Sequence, residues 1–319
     1  MTVSNVGTIK AHCRHNDFNA NIGTKKVYCR HNHFNAIVGT NKKTMTLVTA
    51  IINFKGGVAK TTTTMNLGAG LKKLKERVLV IDTDPQGNVA VNLLGSEEST
   101  LDPQTLTISG LYENPRIDPN RAIIKGKYFD YIPNNLYAYK RTNGISDYRL
   151  LKQIIDKVKH NYDQIIIDTP PYLGLDAINA IYAADTLMLV TDFSKASCTG
   201  VQILVSVLDK WHDKQISSVF RNKPKTILFT MHQKNTVLHR ELLESVEDSK
   251  DVGMGIMLKE RIPRLLKVVE DGYSGVPTLI SNPRNKVATE YKSLAETWYY
   301  ARKTGILAGS RYTVDVPKS

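Results

Sequence analysis

Cysteine is scarce in this chain. There are three in 319 residues, Cys13, Cys29 and Cys198, too few and too unevenly placed for a disulfide framework, so a reducing compartment, the cytoplasm, is expected. No apolar run approaches the ~20 residues of a membrane span. The N-terminus lacks the hydrophobic segment of a secretory signal. Acid is short relative to base, 30 Asp and Glu against 43 Lys and Arg, and the net charge is +13. Such an excess favours polyanionic partners, nucleic acid first and an acidic membrane surface second. In other respects the composition is that of a soluble globular protein, 41% hydrophobic and 23% charged, long enough to bury one substantial core.

Apolar periodicity is missing from the first 44 residues. In its place stands a polar repeat: Cys13-Arg14-His15-Asn16-Asp17-Phe18-Asn19-Ala20 returns as Cys29-Arg30-His31-Asn32-His33-Phe34-Asn35-Ala36. Gly7-Thr8, Gly23-Thr24 and Gly39-Thr40 keep the same offset. Seven cations face only Asp17 here, so six of the thirteen net charges sit in this stretch and seven in the remainder. Two and a half copies of a polar unit build no solenoid core. Cys13, His15, Cys29 and His31 offer four zinc-ligand types, but without the C-x₂₋₄-C spacing of zinc modules. Residues 1–44 are therefore expected to form a disordered extension, and Met45 stands where translation of the folded part could begin.

From Met45 the pattern changes to short apolar strands alternating with helices. Strands are predicted over 46–53, 77–82, 128–133, 164–168, 187–190 and 226–230. Helices are predicted over 61–75, up to Leu94, from a cap at Ser146 to about His160, and near 197–213, 236–247, 264–271 and 286–303. Residues 95–120, rich in Ser, Pro, Asn and Asp, read as a surface excursion with about one helical turn. Alternation of this kind means one α/β domain, residues 45–304, with a mostly parallel sheet covered by helices on both faces. A tail, 305–319, follows. The ligand site of such a sheet lies at the carboxyl ends of its strands.

The first strand runs into Asn53-Phe54-Lys55-Gly56-Gly57-Val58-Ala59-Lys60-Thr61-Thr62. A glycine loop between a strand and a helix cradles phosphate: backbone N–H groups close around the oxygens and the helix N-terminus adds its dipole. Lys60 can reach the β and γ phosphates, and the Thr61 hydroxyl can ligate Mg²⁺. The ordinary spacing G-x-x-x-x-G-K-[ST] is broken, with Phe54 and Ala59 at the glycine positions and Lys55 opening the loop. The pattern is K-G-G-x-x-K-[ST], a deviant Walker A loop. Two carboxylates complete the set. Asp168 ends the run Ile165-Ile166-Ile167 as a metal-shell aspartate would. Asp84, in the turn after the second strand, can orient or activate an attacking water, with Asp82 as its rival in a more structural position.

Together, Lys55–Thr62, the turn Asp82-Thr83-Asp84-Pro85-Gln86-Gly87-Asn88 and Asp168-Thr169-Pro170-Pro171 resemble the ParA family of partition ATPases. Ile262-Pro263-Arg264 and Val276-Pro277 fit its C-terminal part. The resemblance covers Met45 to Lys303. It implies Mg²⁺-dependent ATP hydrolysis, with Lys55, Gly56, Gly57, Val58, Ala59, Lys60, Thr61 and Thr62 around ATP, Thr61 and Asp168 on the metal, and Lys55, Lys60 and Asp84 in catalysis. It further implies an ATP-sandwich homodimer in which Lys55 reaches the partner's phosphates, non-specific binding to double-stranded DNA and so association with the nucleoid, and stimulation by a ParB-like or other adaptor protein, to segregate or position a plasmid, a chromosome or other cargo. Arg264 and Lys267, with Arg261 and Lys259 behind them, are the candidate phosphate contacts. Ala59 departs from the family's glycine and restricts the loop's φ.

Relatives with the same loop set the alternatives. A MinD-like ATPase would end in an amphipathic membrane helix, and Ala308–Pro317 shows no such face, so no membrane anchor is evident. A nitrogenase-type iron protein needs cluster cysteines, and an arsenical-pump ATPase a cysteine-lined site; only Cys198 lies in the folded part. A helix-turn-helix module does not fit in 44 polar residues. A small-molecule ligase or kinase of the same fold, such as a dethiobiotin synthase-like enzyme, is the other reading, since fold alone does not settle function.

Overall fold

The computed structural model describes residues 45–95, 101–102, 104–135, 147–211, 213–232, 256–264, 270–271 and 274–304, together with four short strands in the first 44 residues. In that extension β1 (Thr8–Ala11) pairs antiparallel with β4 (Phe34–Ile37), and β2 (Phe18–Ile22) with β3 (Lys25–Cys29). Runs such as Val27-Tyr28 and Phe34-Asn35-Ala36-Ile37 carry enough β-favouring residues to pair locally, although a two-stranded ladder by itself is marginal in water. Of the Cys and His residues weighed for zinc, Cys13, His15 and His31 lie outside the described residues.

The main body is a sheet of seven strands: β5 (Leu47–Ile52), β6 (Val78–Asp82), β7 (Asp130–Ile132), β8 (Gln164–Asp168), β9 (Thr186–Asp192), β10 (Lys225–His232) and β11 (Ile256–Pro263). Their spatial order is β11-β10-β9-β5-β8-β6-β7, and all six pairings are parallel. The helices among the described residues are α1 (Lys60–Lys73), α2 (Asn88–Leu94), α3 (Ile108–Glu113), α4 (Leu150–Val158), α5 (Leu175–Ala183), α6 (Lys195–Asp209), α7 (Lys214–Asn222), α8 (Thr278–Ser281) and α9 (Lys286–Thr304). The sequence pattern missed β11, α5, α7 and the single-turn α8. The helix expected near 236–247, the cap at Ser146 and the tail after 304 lie outside the described residues, as does most of the helix expected over 264–271.

Strand side chains alternate between two cores. Ala50, Ile52, Leu79, Ile81, Ile165 and Ile167 point to one, closed by α3 to α7 through residues such as Leu151, Ile178, Leu204 and Phe220. Ile51, Val78, Val80 and Ile166 point to the other, closed by α1, α2, α8 and α9 through Leu67, Leu71, Val89, Leu279, Tyr291 and Trp298. Each fully buried Ile or Leu contributes roughly 1.5–3 kcal/mol. Two of the large rings in this second core have their polar ends satisfied. Trp298 Nε1 donates to Thr49 Oγ1 at 2.9 Å, and the Tyr291 hydroxyl pairs with Thr63 Oγ1 at 3.1 Å.

Connections from β5 run to opposite sides of the sheet: the chain returns as β6 beyond β8, and β8 later returns as β9 on the far flank of β5. The carboxyl end of β5 is thus the switch point where a parallel sheet opens a ligand crevice. The register brings the end of β5 and two carboxylates level, with Ile51 opposite Asp168 and Asp82 opposite Asp168.

Candidate functional site

The loop after β5 is fixed at its start by Asn53. Its Nδ2 donates to Val190 O on β9 at 2.6 Å, and its Oδ1 accepts from Lys55 N at 2.8 Å. Val58 is buried, and its carbonyl accepts from Thr230 Oγ1 at 3.0 Å. On either side of Val58 the backbone passes through the left-handed region, at Gly57 (φ 75°) and Ala59 (φ 67°). Ala59 is the N-cap of α1, and its carbonyl accepts from Thr63 N at 2.9 Å. An alanine there carries a Cβ penalty of about 1–2 kcal/mol that glycine would not. The restriction expected at Ala59 is therefore real, and the packed loop holds it.

Lys60 opens α1 and folds back over the loop, its Nζ donating to Lys55 O at 3.2 Å. It is 7% exposed. Burial lowers its pKa, while the charges of Asp168 and Asp84 pull it back up. Thr61 Oγ1 donates to Asp168 Oδ2 at 2.6 Å and Thr64 Oγ1 to Asp168 Oδ1 at 3.0 Å. Burial raises the pKa of Asp168 against the lowering effect of these bonds and of Lys60. Asp84 is also raised by burial, offset by the Gln86 backbone N–H at 3.0 Å and by Lys60. Asp82 is fully buried, and its oxygens accept from Asp84 N and Val89 N, both at 3.0 Å. It shapes the turn and starts α2, the structural role expected of it. Gly87 completes that turn at φ 64°, where a Cβ would lie 2.5 Å from Asn134 O.

Three buried carboxylates, Asp82, Asp84 and Asp168, thus gather at the strand ends, and the charges of Asp168 and Asp84 act on one buried ammonium, Lys60. The donor set at the mouth, a threonine hydroxyl on a carboxylate, is hard oxygen, the chemistry that suits Mg²⁺. A dication beside Thr61 and Asp168 fits this excess of buried negative charge.

Lys55 points elsewhere. Its Nζ lies 3.0 Å from Asp192 Oδ2 and 3.1 Å from Ser194 Oγ of the same chain. Its side chain remains 40% exposed, at the rim of the crevice. The structure therefore brings Lys60, Thr61, Asp168 and Asp84 together and leaves Lys55 on a separate, intrachain contact. The candidate phosphate contacts on and after β11 are not equivalent. Arg264 is exposed, and its backbone N–H donates to His232 O at 3.1 Å. The Arg261 guanidinium turns onto the Phe229 ring, 5.4 Å from its centroid, and donates to Leu258 O and, at 3.0 Å, to Glu260 O. Lys267 and the side chain of Lys259 lie outside the described residues.

Sequence reasoning missed Asn53, Thr64, Asp192 and Asp176. Thr64 had a signal, three residues after Thr61 on the same helix face. Asp192 had one too, as a third carboxylate closing a buried strand. Asp176, in the first turn of α5, had none. Burial and the charge of Asp84 push its pKa up to about 6.

Residues 46–221 match the AAA domain family. The sporulation initiation inhibitor protein Soj of Bacillus subtilis is 31% identical over 261 residues, 78% of this chain and 96% of that protein. A ParA family protein of Chlamydia trachomatis is 28% identical over 260 residues, 77% of this chain and 95% of its own length. Among solved structures, cobyrinic acid a,c-diamide synthase of Mycobacterium smegmatis, with a bound ATP analogue and magnesium, superposes with a TM-score of 0.67 at 24% identity, over 85% of this chain and 100% of that one. At that identity the likeness speaks for the fold. No helix among the described residues is long and apolar enough to cross a membrane.

Proposed function

The chain belongs to the ParA/MinD family of P-loop ATPases, and from that membership we propose that it is a DNA-associated positioning ATPase that works as an ATP-bridged homodimer. ATP and Mg²⁺ are its cofactors. Mg²⁺ would be held by Thr61 and, through its shell, by Asp168; when bound, it neutralises charge on the phosphate oxygens. Lys60 and the loop N–H groups bind and orient the β and γ phosphates. Asp84, level with the crevice and close enough to Lys60 for its charge to be felt there, positions the attacking water and takes its proton.

The observation that carries the reading is Lys55. It stands at the rim, half exposed, on a side chain long enough to leave Asp192 and reach outward. In a face-to-face dimer it contacts the partner's phosphates and stabilises the charge developing there, as a trans arginine finger does. ATP then favours the closed dimer because it contacts both subunits only in that state. The dimer binds duplex DNA without sequence preference, and an adaptor protein on the cargo stimulates hydrolysis and release.

The test is ATPase rate with and without DNA, together with binding of a random duplex in the presence of ATP, ADP or no nucleotide. ATP-dependent binding and a rate raised by DNA support the reading. Binding that ignores nucleotide, or none at low salt, counts against it and returns attention to an ATP-dependent ligase or kinase of the same fold.

A further inference from the structure

We propose that the duplex is contacted at the amino-terminal edge of the sheet, by the turn between α1 and β6 and the end of α9, the opposite end from the nucleotide; this rests on the DNA-binding reading above. The turn reads Lys72-Lys73-Leu74-Lys75-Glu76-Arg77. Lys72, Lys73, Lys75 and Arg77 are exposed, and Lys303 at the end of α9 is exposed beside them, 3.6 Å from Glu76.

The acids here are already spent. Glu76 is 4% exposed and is held by Arg302, itself buried, at 2.5 and 2.8 Å. Asp163 accepts from Arg77 at 3.1 Å and lies 3.6 Å from Arg302. Among the described residues no carboxylate pairs with Lys72, Lys73 or Lys75. A buried arginine neutralises the one acid of the turn from below, so the outer face stays cationic. Half-exposed Tyr299 carries Lys303 5.2 Å over its ring, an aromatic beside the cations.

Lys75 supplies a second observation. It ends α1 in a Schellman cap: Glu76 N donates to Leu71 O at 3.1 Å and Lys75 N to Lys72 O at 3.0 Å. The residue between sits at φ 66°, the position glycine ordinarily fills. A lysine is strained there where glycine would not be, and its charge is added beside those of Lys72, Lys73, Arg77 and Lys303. By contrast Arg261, on the other edge, is folded onto Phe229. A strand of this sheet spans roughly 15–25 Å at ~3.3 Å per residue, so the two ends make separate contacts.

The experiment measures binding of a random 40-base-pair duplex by the full chain with ATP, as a function of salt, for the wild type, for K72Q/K73Q/K75Q and for K75G. Each lost phosphate contact lowers the slope of log K against log salt by about 0.9. The triple variant is expected to bind at least tenfold more weakly, with a slope smaller by two to three. K75G is expected to melt higher yet bind DNA more weakly; a lysine with a merely structural role would give the first effect alone. Wild-type binding with an unchanged slope in both variants overturns this surface and leaves the DNA reading standing. Absence of wild-type binding overturns both. Loss of binding to phosphatidylglycerol vesicles, with the duplex bound as before, assigns the patch to a membrane and also overturns it.

Discussion

Lys55 Nζ sits 3.0 Å from Asp192 Oδ2 of its own chain, 137 residues away in sequence. A half-exposed pair of this kind is worth about 1 kcal/mol or less, and Lys55 must give it up to engage a second subunit. Asp192→Asn is therefore expected to tighten ATP-dependent dimerisation by up to about fivefold, since 1.4 kcal/mol is a factor of ten. Sedimentation velocity with a slowly hydrolysed ATP analogue reads this directly. Weaker dimerisation would mean instead that Asp192 belongs to the closed site.

Ala59 is held at φ 67° at the head of α1. Replacing it by glycine removes a penalty of about 1–2 kcal/mol and returns part of it as unfolded-state entropy, about 0.5–1 kcal/mol. A net gain of about 0.5–1 kcal/mol is expected, a rise of roughly 1–4 °C for a domain of this size. Thermal melts without nucleotide check it, and a lower melting temperature would show that the Ala59 methyl packs favourably enough to outweigh its backbone strain.

The parts legible in the sequence were those with local causes. The isoleucine run before Asp168, the apolar strand before the loop and the Lys55–Thr62 pattern each announce themselves within ten residues. What was not legible depends on tertiary partners. β11 carries Lys259-Glu260-Arg261 in mid-strand and reads as a polar segment; it is buried because Glu260 accepts from Ser293 Oγ and Thr297 Oγ1 on α9, both at 2.9 Å. α5 begins four residues after Pro170-Pro171 and is too short and too rich in alanine to show a face. The Asp192 carboxylate beside Lys55 is supplied by β9, the fourth strand after β5 in the chain and its neighbour in the sheet, which spacing cannot reveal.

The Arg302–Glu76 pair, both side chains at 4% exposure or less, ties the end of α9 to the turn before β6. Removing one member strands the other charge in the interior, which typically costs about 3–5 kcal/mol. Arg302→Met is expected to destabilise by that order, and Arg302→Met with Glu76→Leu to recover most of it. Chemical denaturation of the single and double variants gives the coupling. Equal losses added together would show that the two side chains act independently.

Asp176 keeps its proton up to about pH 6 in the fold, against an ordinary value of 3.8, because it is buried and because the charge of nearby Asp84 opposes a second one. Between those two values the folded chain binds more protons than the unfolded one. Stability therefore falls as pH rises from about 4 to about 6 and stays lower above it. Asp176→Asn removes this loss. The variant is expected to be more stable than the wild type at pH 7.5, by at most about 3 kcal/mol at 1.4 kcal/mol per unit, and to match it near pH 4. An advantage that did not change with pH would place its origin in packing.

Asp84 offers the sharpest separation of binding from chemistry. Lys60 and the loop hold the phosphates, whereas Asp84 acts on the water, so Asp84→Ala should leave ATP affinity within a few fold and lower the hydrolysis rate about 10²- to 10⁴-fold. Removing a carboxylate from a site with three acids and one lysine also relieves repulsion toward the triphosphate, so affinity can rise. With hydrolysis blocked, the ATP-bound dimer should persist on DNA rather than cycle off. Lys60→Ala should do the reverse, losing nucleotide binding and with it the dimer. Nucleotide titration, single-turnover hydrolysis and DNA retention on the same preparations distinguish them. A dispersed, ATP-free Asp84→Ala monomer would move this residue from catalysis to the architecture of the turn.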